Sequence, residues 1–365
     1  MVESYDAGSL PFAGDVKKFL EGAKRYGSSL NDSVKYFEGK VVEGLLDKVR
    51  TGIDVPNYPQ FRDMSEMFLG LIDGVEKVKG GYLETDVLSV KEGKEHLPEV
   101  LAIRRFSQEI YEKIGSPLRL KVCVTGPYTL SSLFLYKDNE VFSRIGNVIS
   151  QIVENNIFSE KHVSVGLVSV DEPVFGLLDD PLMDRGSEGR ENLRKSWEFI
   201  FDKAKSKGAK TCLHLHNTAD QLFWEVRSLS IIESHVDDPL YQSKKTKDLL
   251  ESTDKFLKAS ICVVDFDRLI KDHVVAASQQ KMGELTVGQR VAEVWKEIAG
   301  GKIDPTVFLE SVESMKERLT KIVERFGVER VPYAGPECGL RGFPTYECAL
   351  ECLRRVSNAV KDITK

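Results

Sequence analysis

Strand-like apolar runs alternate with helical patterns along most of the chain, and that alternation restricts it to a parallel α/β fold. Eight runs read as strands, at residues 3–8, 82–90, 118–125, 166–171, 210–216, 229–233, 260–266 and 331–335. Helical patterns fall between most of them, at 15–26, 33–49, 98–114, 141–161 and 191–206, and a last helix at 345–361 closes the chain. Eight parallel strands with helices outside make a (β/α)8 (TIM) barrel, and 365 residues suit one such domain spanning 1–365. A two-domain doubly wound arrangement also fits the length. It leaves unexplained why the strand ends carry Gly8-Ser9, Thr125-Gly126-Pro127, Asp171-Glu172-Pro173, His214, His216, Glu233, Asp265, Asp267 and Cys338, since in a barrel functional residues gather at the C-terminal strand ends. The polar stretch 273–302, with Gly283, Gly288, Gly300 and Gly301, reads as a helical insertion after the seventh strand, solvated rather than covering the barrel mouth.

The chemistry centres on Cys212-Leu213-His214-Leu215-His216. Side chains alternate faces along a strand, so Cys212, His214 and His216 share one face while Leu213 and Leu215 pack outward. Two imidazoles at i and i+2 can reach one metal ion, although such a pair by itself is more often a hydrogen-bonded one. Two further strand ends add Glu233 and, within Gly335-Pro336-Glu337-Cys338-Gly339, a thiol. Imidazole, carboxylate and thiolate are all zinc donors, and only a fold that gathers strand ends brings them together. His235 lies two residues beyond Glu233 and is expected to sit outside the ligand set or in solvent. A substrate thiol that binds zinc loses its proton and becomes the nucleophile, so a zinc site with a cysteine ligand at a barrel mouth suggests alkyl transfer to a thiol. Asp171, on the same rim, is suited to hold an ammonium group. Ser9, with the amides of Gly8 and Leu10, is suited to hold a carboxylate.

Other classes are excluded or disfavoured. A formal charge of −6 gives no basis for a nucleic-acid partner. No glycine-rich dinucleotide fingerprint or Walker-type phosphate loop occurs. Six cysteines without a CxxC pair make no disulfide framework: Cys123, Cys212 and Cys262 lie in apolar runs, and Cys348 and Cys352 have helical core spacing. No secretory signal or membrane-length apolar run is seen, so a reduced cytoplasmic setting without a membrane partner is expected.

The motifs resemble those of the cobalamin-independent methionine synthase family, in its catalytic C-terminal half, over nearly the whole chain. The similarity is closest to the short, archaeal-type relatives that consist of that half alone. The markers are Gly8-Ser9-Leu10-Pro11, Thr125-Gly126-Pro127, Val170-Asp171-Glu172-Pro173, His214-Leu215-His216, Ile232-Glu233-Ser234 and Cys338-Gly339-Leu340-Arg341-Gly342, in order and spacing. The resemblance implies a (β/α)8 barrel, a zinc ion (Zn2+) and methyl transfer to the thiol of homocysteine, giving methionine. Carried over, the zinc ligands fall on His214, His216, Glu233 and Cys338, and the homocysteine contacts on Ser9 and Asp171, with Gly8 beside Ser9. The second ligand is normally cysteine, so His216 is a departure that makes the metal more electrophilic and puts the transfer rate in doubt. A family glutamate that holds the substrate amino group has no clean match; Gln60, within residues 57–64, is the candidate for that contact.

Two further departures concern the methyl donor. The folate-dependent enzymes carry a preceding domain and an aromatic folate platform after Thr-Gly-Pro, where this chain reads Tyr128-Thr129-Leu130-Ser131-Ser132-Leu133-Phe134 without tryptophan. The family's proton-donating histidine falls on Asp267, which enters here as a catalytic candidate beside Asp171. A folate leaving group needs a proton and a cob(I)alamin leaving group does not. The expected donor is therefore a methylcorrinoid, free or protein-bound, ahead of methyltetrahydrofolate. Two alternatives stay open: a related methyltransferase acting on another thiol such as coenzyme M, and a non-catalytic barrel that binds zinc or a corrinoid protein.

Overall fold

The computed structural model describes residues 1–28, 31–277 and 283–364. In chain order its strands are β1 (Glu3–Ser4), β2 (Ile72–Val78), β3 (Gly81–Val90), β4 (Leu118–Thr125), β5 (Val163–Glu172), β6 (Lys210–Leu215), β7 (Ile231–Glu233), β8 (Phe256–Cys262) and β9 (Tyr333–Pro336). Seven of them form one curled parallel sheet in the order β1-β9-β8-β7-β6-β5-β4. Parallel strands buried on both faces need continuous apolar or small residues, and β4, Leu-Arg-Leu-Lys-Val-Cys-Val-Thr, is buried at every position but Arg119.

Helices Val141–Asn156, Glu188–Ser206 and Lys244–Thr253 cross between successive strands, and Tyr346–Thr364 packs after the last. Their starts are written in the sequence. Ser187 caps the second of these through the Arg190 amide, and Ser311 caps the helix Val312–Phe326 through the Ser314 amide. Between β8 and β9 lie three α-helices, Phe266–Ala277, Glu284–Ala299 and Val312–Phe326. Within the expected insertion 273–302, residues 278–282 lie outside the described residues.

The alternation of faces read from the sequence holds. Leu213 and Leu215 join the large core under the helices, while Cys212 packs inside the curl with Tyr5, Val55, Leu167, Ile231 and Tyr333, all of them buried.

Two strand expectations are corrected. The run 82–90 is a strand, but it pairs antiparallel with β2 in a separate hairpin and takes no place in the parallel sheet. The position between β1 and β4 is taken by residues 55–60, through parallel bridges Tyr5 to Val55, Ser9 to Gln60 and Asn57 to Lys121. The Val55 amide donates to the Ser4 carbonyl (3.0 Å) and the Lys121 amide to the Pro56 carbonyl (2.9 Å). Pro56 and Pro59 have no N–H to give, so this segment cannot form a continuous ladder, and its sequence does not read as a strand. The run 260–266 is also displaced: β8 ends at Cys262, and Phe266 already opens a helix, because Asp265 accepts the Arg268 amide (3.0 Å) as a cap does.

Candidate metal centre at the strand ends

Thr125, Asp171, His214 and Glu233 are successive register partners across β4, β5, β6 and β7. One row at the C-terminal edge of the sheet therefore carries two carboxylates and an imidazole. Just beyond it, His216 follows β6, His235 follows β7 and Cys338 follows β9. The donor atoms of His214, His216, His235 and Cys338 all lie within 4.8 Å of one another. Cys338 Sγ is 3.4 Å from His216 Nε2, and the His216 and His235 ring centroids are 4.0 Å apart. His214 is 4% exposed, and its Nε2, like that of His235, is buried without a hydrogen-bond partner. Buried imidazole nitrogens without partners, converging on a thiol, are a donor set that fits zinc.

The charge distribution follows from what lies beneath. Glu233 is fully buried. Its Oε1 is 3.0 Å from His214 Nδ1, close in distance but off the line of a good hydrogen bond. Its Oε2 accepts from the Tyr5 hydroxyl and lies 3.1 Å from Lys258 Nζ. Burial alone raises a carboxyl, yet Lys258, Lys121 and His214 hold Glu233 well below the usual carboxylate range. Burial disfavours charge on His214, yet the Glu233 carboxylate and Cys338 raise it to about 10. Burial also opposes ionisation of Cys338, and the neighbouring imidazoles of His214, His216 and His235 overcome it, holding the thiol well below its ordinary value. Burial lowers His216.

Two further carboxylates tie down the loops that carry the donors. Glu337 accepts the amides of Val236 (2.8 Å) and Val264 (2.9 Å), joining the segment before Cys338 to the segment after His235. Asp238 accepts from Ser234 Oγ (2.9 Å) and the Thr218 amide (3.2 Å), joining the loops after β7 and β6. Tyr241 donates to the Lys258 carbonyl (2.8 Å) and accepts the Ser234 amide (3.0 Å), which fixes the backbone between Glu233 and His235.

The remaining candidates from the sequence separate into two groups. Asp171 lies in the row beside His214 and accepts from Ser169 Oγ (2.7 Å); burial raises its pKa, against the pull of His214 and Lys121. Ser9 is drawn to the Cys338 segment: its carbonyl accepts the Leu340 amide (2.9 Å), and Gly339 is packed so closely that a Cβ there would stand 2.0 Å from Ser9 Oγ. Gly8 has φ +139° and gives its carbonyl to Lys48 Nζ (2.7 Å) and to the Gln60 amide (3.2 Å). The Leu10 amide is not open as expected, since it donates to the Gln60 carbonyl (3.4 Å). Gln60 is buried next to this turn, with its side-chain amide 3.4 Å from Met67 Sδ. Asp267, beyond the end of β8, is exposed in the first turn of Phe266–Ala277 and accepts from Trp295 Nε1 (2.6 Å).

Two residues of the centre differ from the sequence reading, which expected His235 outside the ligand set or in solvent and gave Glu337 no role. His235 has the same i+2 offset from Glu233 that His216 has from His214, and that spacing was its signal. Glu337 precedes Cys338 directly, but nothing in its neighbourhood marks it as a tie between loops.

No family model matches the chain. In sequence it is similar to 5-methyltetrahydropteroyltriglutamate–homocysteine methyltransferases from two strains of Acidithiobacillus ferrooxidans, each 21% identical over 206 residues; the match covers 54% of this chain and 24% of the relative. The chain thus matches about a quarter of the length of these relatives. In fold it is similar to a B12-independent methionine synthase from Shewanella sp. W3-18-1, solved in complex with selenomethionine, with TM-score 0.57 and 12% identity. That match covers 100% of this chain and 98% of the other. A Listeria monocytogenes structure provisionally assigned as a vitamin-B12-independent methionine synthase gives TM-score 0.56 and 14% identity, covering 100% and 99%. The resemblance read from the motifs is therefore present both in sequence and in fold, and the proteins it points to are, by name, methyltransferases acting on homocysteine or methionine synthases.

Proposed function

We propose that the chain is a member of the cobalamin-independent methionine synthase family and transfers a methyl group to the thiol of homocysteine, giving methionine. One observation carries this reading. Three imidazoles and a thiol converge within 4.8 Å at the C-terminal edge of a parallel sheet, in a fold shared with methionine synthases. The whole chain is read as one (β/α)8 barrel domain over residues 1–365, with residues 55–60 as the eighth stave between β1 and β4.

His214, His216 and Cys338 would hold a zinc ion together with a fourth donor from the segment that carries Glu233, the residue implied by the family resemblance, and His235. When bound, the ion stabilises a thiol as thiolate and so supplies the nucleophile at neutral pH. The protein's own residues do the rest. Asp171, in the row beside His214, would hold the acceptor's ammonium group, and Ser9, against Gly339, its carboxylate. Gln60 shapes the backbone that carries Ser9. Asp267 is exposed and bound to Trp295, and no imidazole stands at that position to protonate a folate leaving group. This supports a methylcorrinoid, free or protein-bound, as donor over methyltetrahydrofolate. No described helix is long and apolar enough to cross a membrane.

The deciding experiment supplies zinc-loaded protein with homocysteine and either methylcobalamin or methyltetrahydrofolate and measures methionine. Turnover with methylcobalamin alone is expected. Turnover with the folate alone overturns the donor, and transfer to coenzyme M but not to homocysteine overturns the acceptor.

A further inference from the structure

The geometry points to a ligand set of three imidazoles and one thiolate, His214, His216, His235 and Cys338, with Glu233 positioning His214 instead of binding the metal. This inference rests on the reading that the centre holds zinc, and it replaces the carboxylate that the family resemblance implies.

Both Glu233 oxygens already face protein groups. Oε2 is shared by the Tyr5 hydroxyl and the Lys258 ammonium, and Oε1 lies 3.0 Å from His214 Nδ1. Turning this carboxylate to a metal would take the counter-charge from the Lys258 ammonium, which is 1% exposed. The register explains the arrangement. Glu233 and His214 are direct partners on adjacent strands, so the carboxylate lies beside the imidazole at one level of the sheet. A carboxylate on the far nitrogen of a ligating imidazole fixes its tautomer and raises its basicity. With Nδ1 3.0 Å from the Glu233 carboxylate, Nε2, itself buried and without a hydrogen-bond partner, is the nitrogen left for the metal.

His235 lies two residues further along, on the level of His216 and Cys338. Its ring is 4.0 Å from His216 and 6.3 Å from His214, and its Nε2 is buried and unpartnered. The loop is held there by independent ties: Glu337 to the Val236 amide, and Tyr241 and Asp238 to Ser234. Four donors with one thiolate leave zinc with one net positive charge, whereas a set containing Glu233 would be neutral. The acceptor that neutralises such a centre is one that binds as a thiolate.

The test is X-ray absorption at the zinc edge on the zinc-loaded full chain, without any variant. Three imidazole nitrogens and one sulfur, with no carboxylate oxygen, are expected. Two imidazoles, one oxygen and one sulfur would overturn the ligand set while leaving the proposed activity standing, and failure of the wild-type chain to take up zinc overturns both. Variants give a second readout through zinc competition and the visible spectrum of the cobalt(II) form. His235→Ala should weaken zinc by at least about 100-fold and change the cobalt spectrum. Glu233→Gln should keep one metal per chain and the spectral shape, with affinity about 10- to 100-fold lower. A His235→Ala protein that binds zinc as tightly as wild type, with an unchanged cobalt spectrum, sinks the inference.

Discussion

The Glu233 carboxylate stands between the His214 imidazole and the Lys258 ammonium, 3.0 Å from one and 3.1 Å from the other. One buried acid thus orients a metal-competent ring and balances a buried cation. The Lys258 ammonium also donates to the Pro336 carbonyl, at the end of the strand that leads to Cys338. The charge beneath the centre and the backbone that delivers its thiol are therefore connected through one side chain.

Lys258→Met tests that connection. Removing one partner of a buried ion pair leaves the other short of its nearest opposite charge, which typically costs about 3 kcal/mol. Urea unfolding of the metal-free protein should show a loss of that order. A stability within about 0.5 kcal/mol of wild type would mean that Lys121 and Tyr5 satisfy Glu233 without Lys258.

Glu337→Ala removes the acceptor of the Val236 and Val264 amides. Two buried amides without partners cost about 1–3 kcal/mol each. The same change frees the loop after His235, so zinc affinity should fall about 10-fold or more. Calorimetric unfolding and competition with a chromophoric chelator read the two effects separately. Glu337→Gln, which keeps one acceptor oxygen, should lose about half as much stability.

Glu172 gives a pH dependence away from the metal. It accepts the Tyr128 (3.0 Å) and Thr129 (2.7 Å) amides and the Trp197 indole N–H (2.9 Å), but burial outweighs these and raises its pKa to about 7. The folded state holds this proton more tightly than the unfolded chain, so its stabilising contribution is complete below about pH 4.5 and is lost as pH rises through about 7. Wild-type stability should fall by about 3 kcal/mol across that window relative to Glu172→Gln. A pH-independent difference between the two proteins would show that the carboxylate is ionised throughout.

Gly339→Ala tests the acceptor end of the site. The added methyl would stand 2.0 Å from Ser9 Oγ and 3.1 Å from its Cβ, so Ser9 must move. Homocysteine KM should rise about tenfold, equivalent to about 1.4 kcal/mol, with zinc content unchanged. Ser9→Ala should raise it similarly. An unchanged KM in both variants would remove Ser9 from the acceptor site.

Much of this site was legible because the strands that carry it are regular. β4 runs over Leu118–Thr125 as its apolar pattern indicates, and β6 alternates Leu213 and Leu215 outward with Cys212 inward. The failures came where local signals misled. Residues 55–60 carry two prolines and look like a loop, yet they bridge both edges of the sheet. The run 82–90 has strand composition, but its pairing with β2 is a tertiary fact that composition does not encode. Asp265 caps a helix where the apolar run suggested a continuing strand, and Asp267 falls in the first turn of that helix, bound to Trp295. His235 is visible in its spacing, but spacing alone does not separate a ligand from a neighbour of the ligands or a solvent-facing ring; the groups that face Glu233 come from β1 and β8, far away in sequence.

The segment at residues 55–60 has a consequence for how such a barrel diversifies. It is held by scattered bridges and by Lys48, whose ammonium reaches from its helix to Asp6 (2.5 Å) and to the carbonyls of Gly8 (2.7 Å) and Asn57 (3.2 Å). The metal donors hang from the regular side of the sheet, whereas the Gly8-Ser9 turn and Gln60 sit on this irregular seam. On the proposed reading the seam carries Ser9, the regular strands carry Asp171 and the metal donors, and the two meet where Ser9 packs on Gly339 beside Cys338. Drift along the seam would then reach the carboxylate end of the acceptor first, and the metal donors only through that one contact.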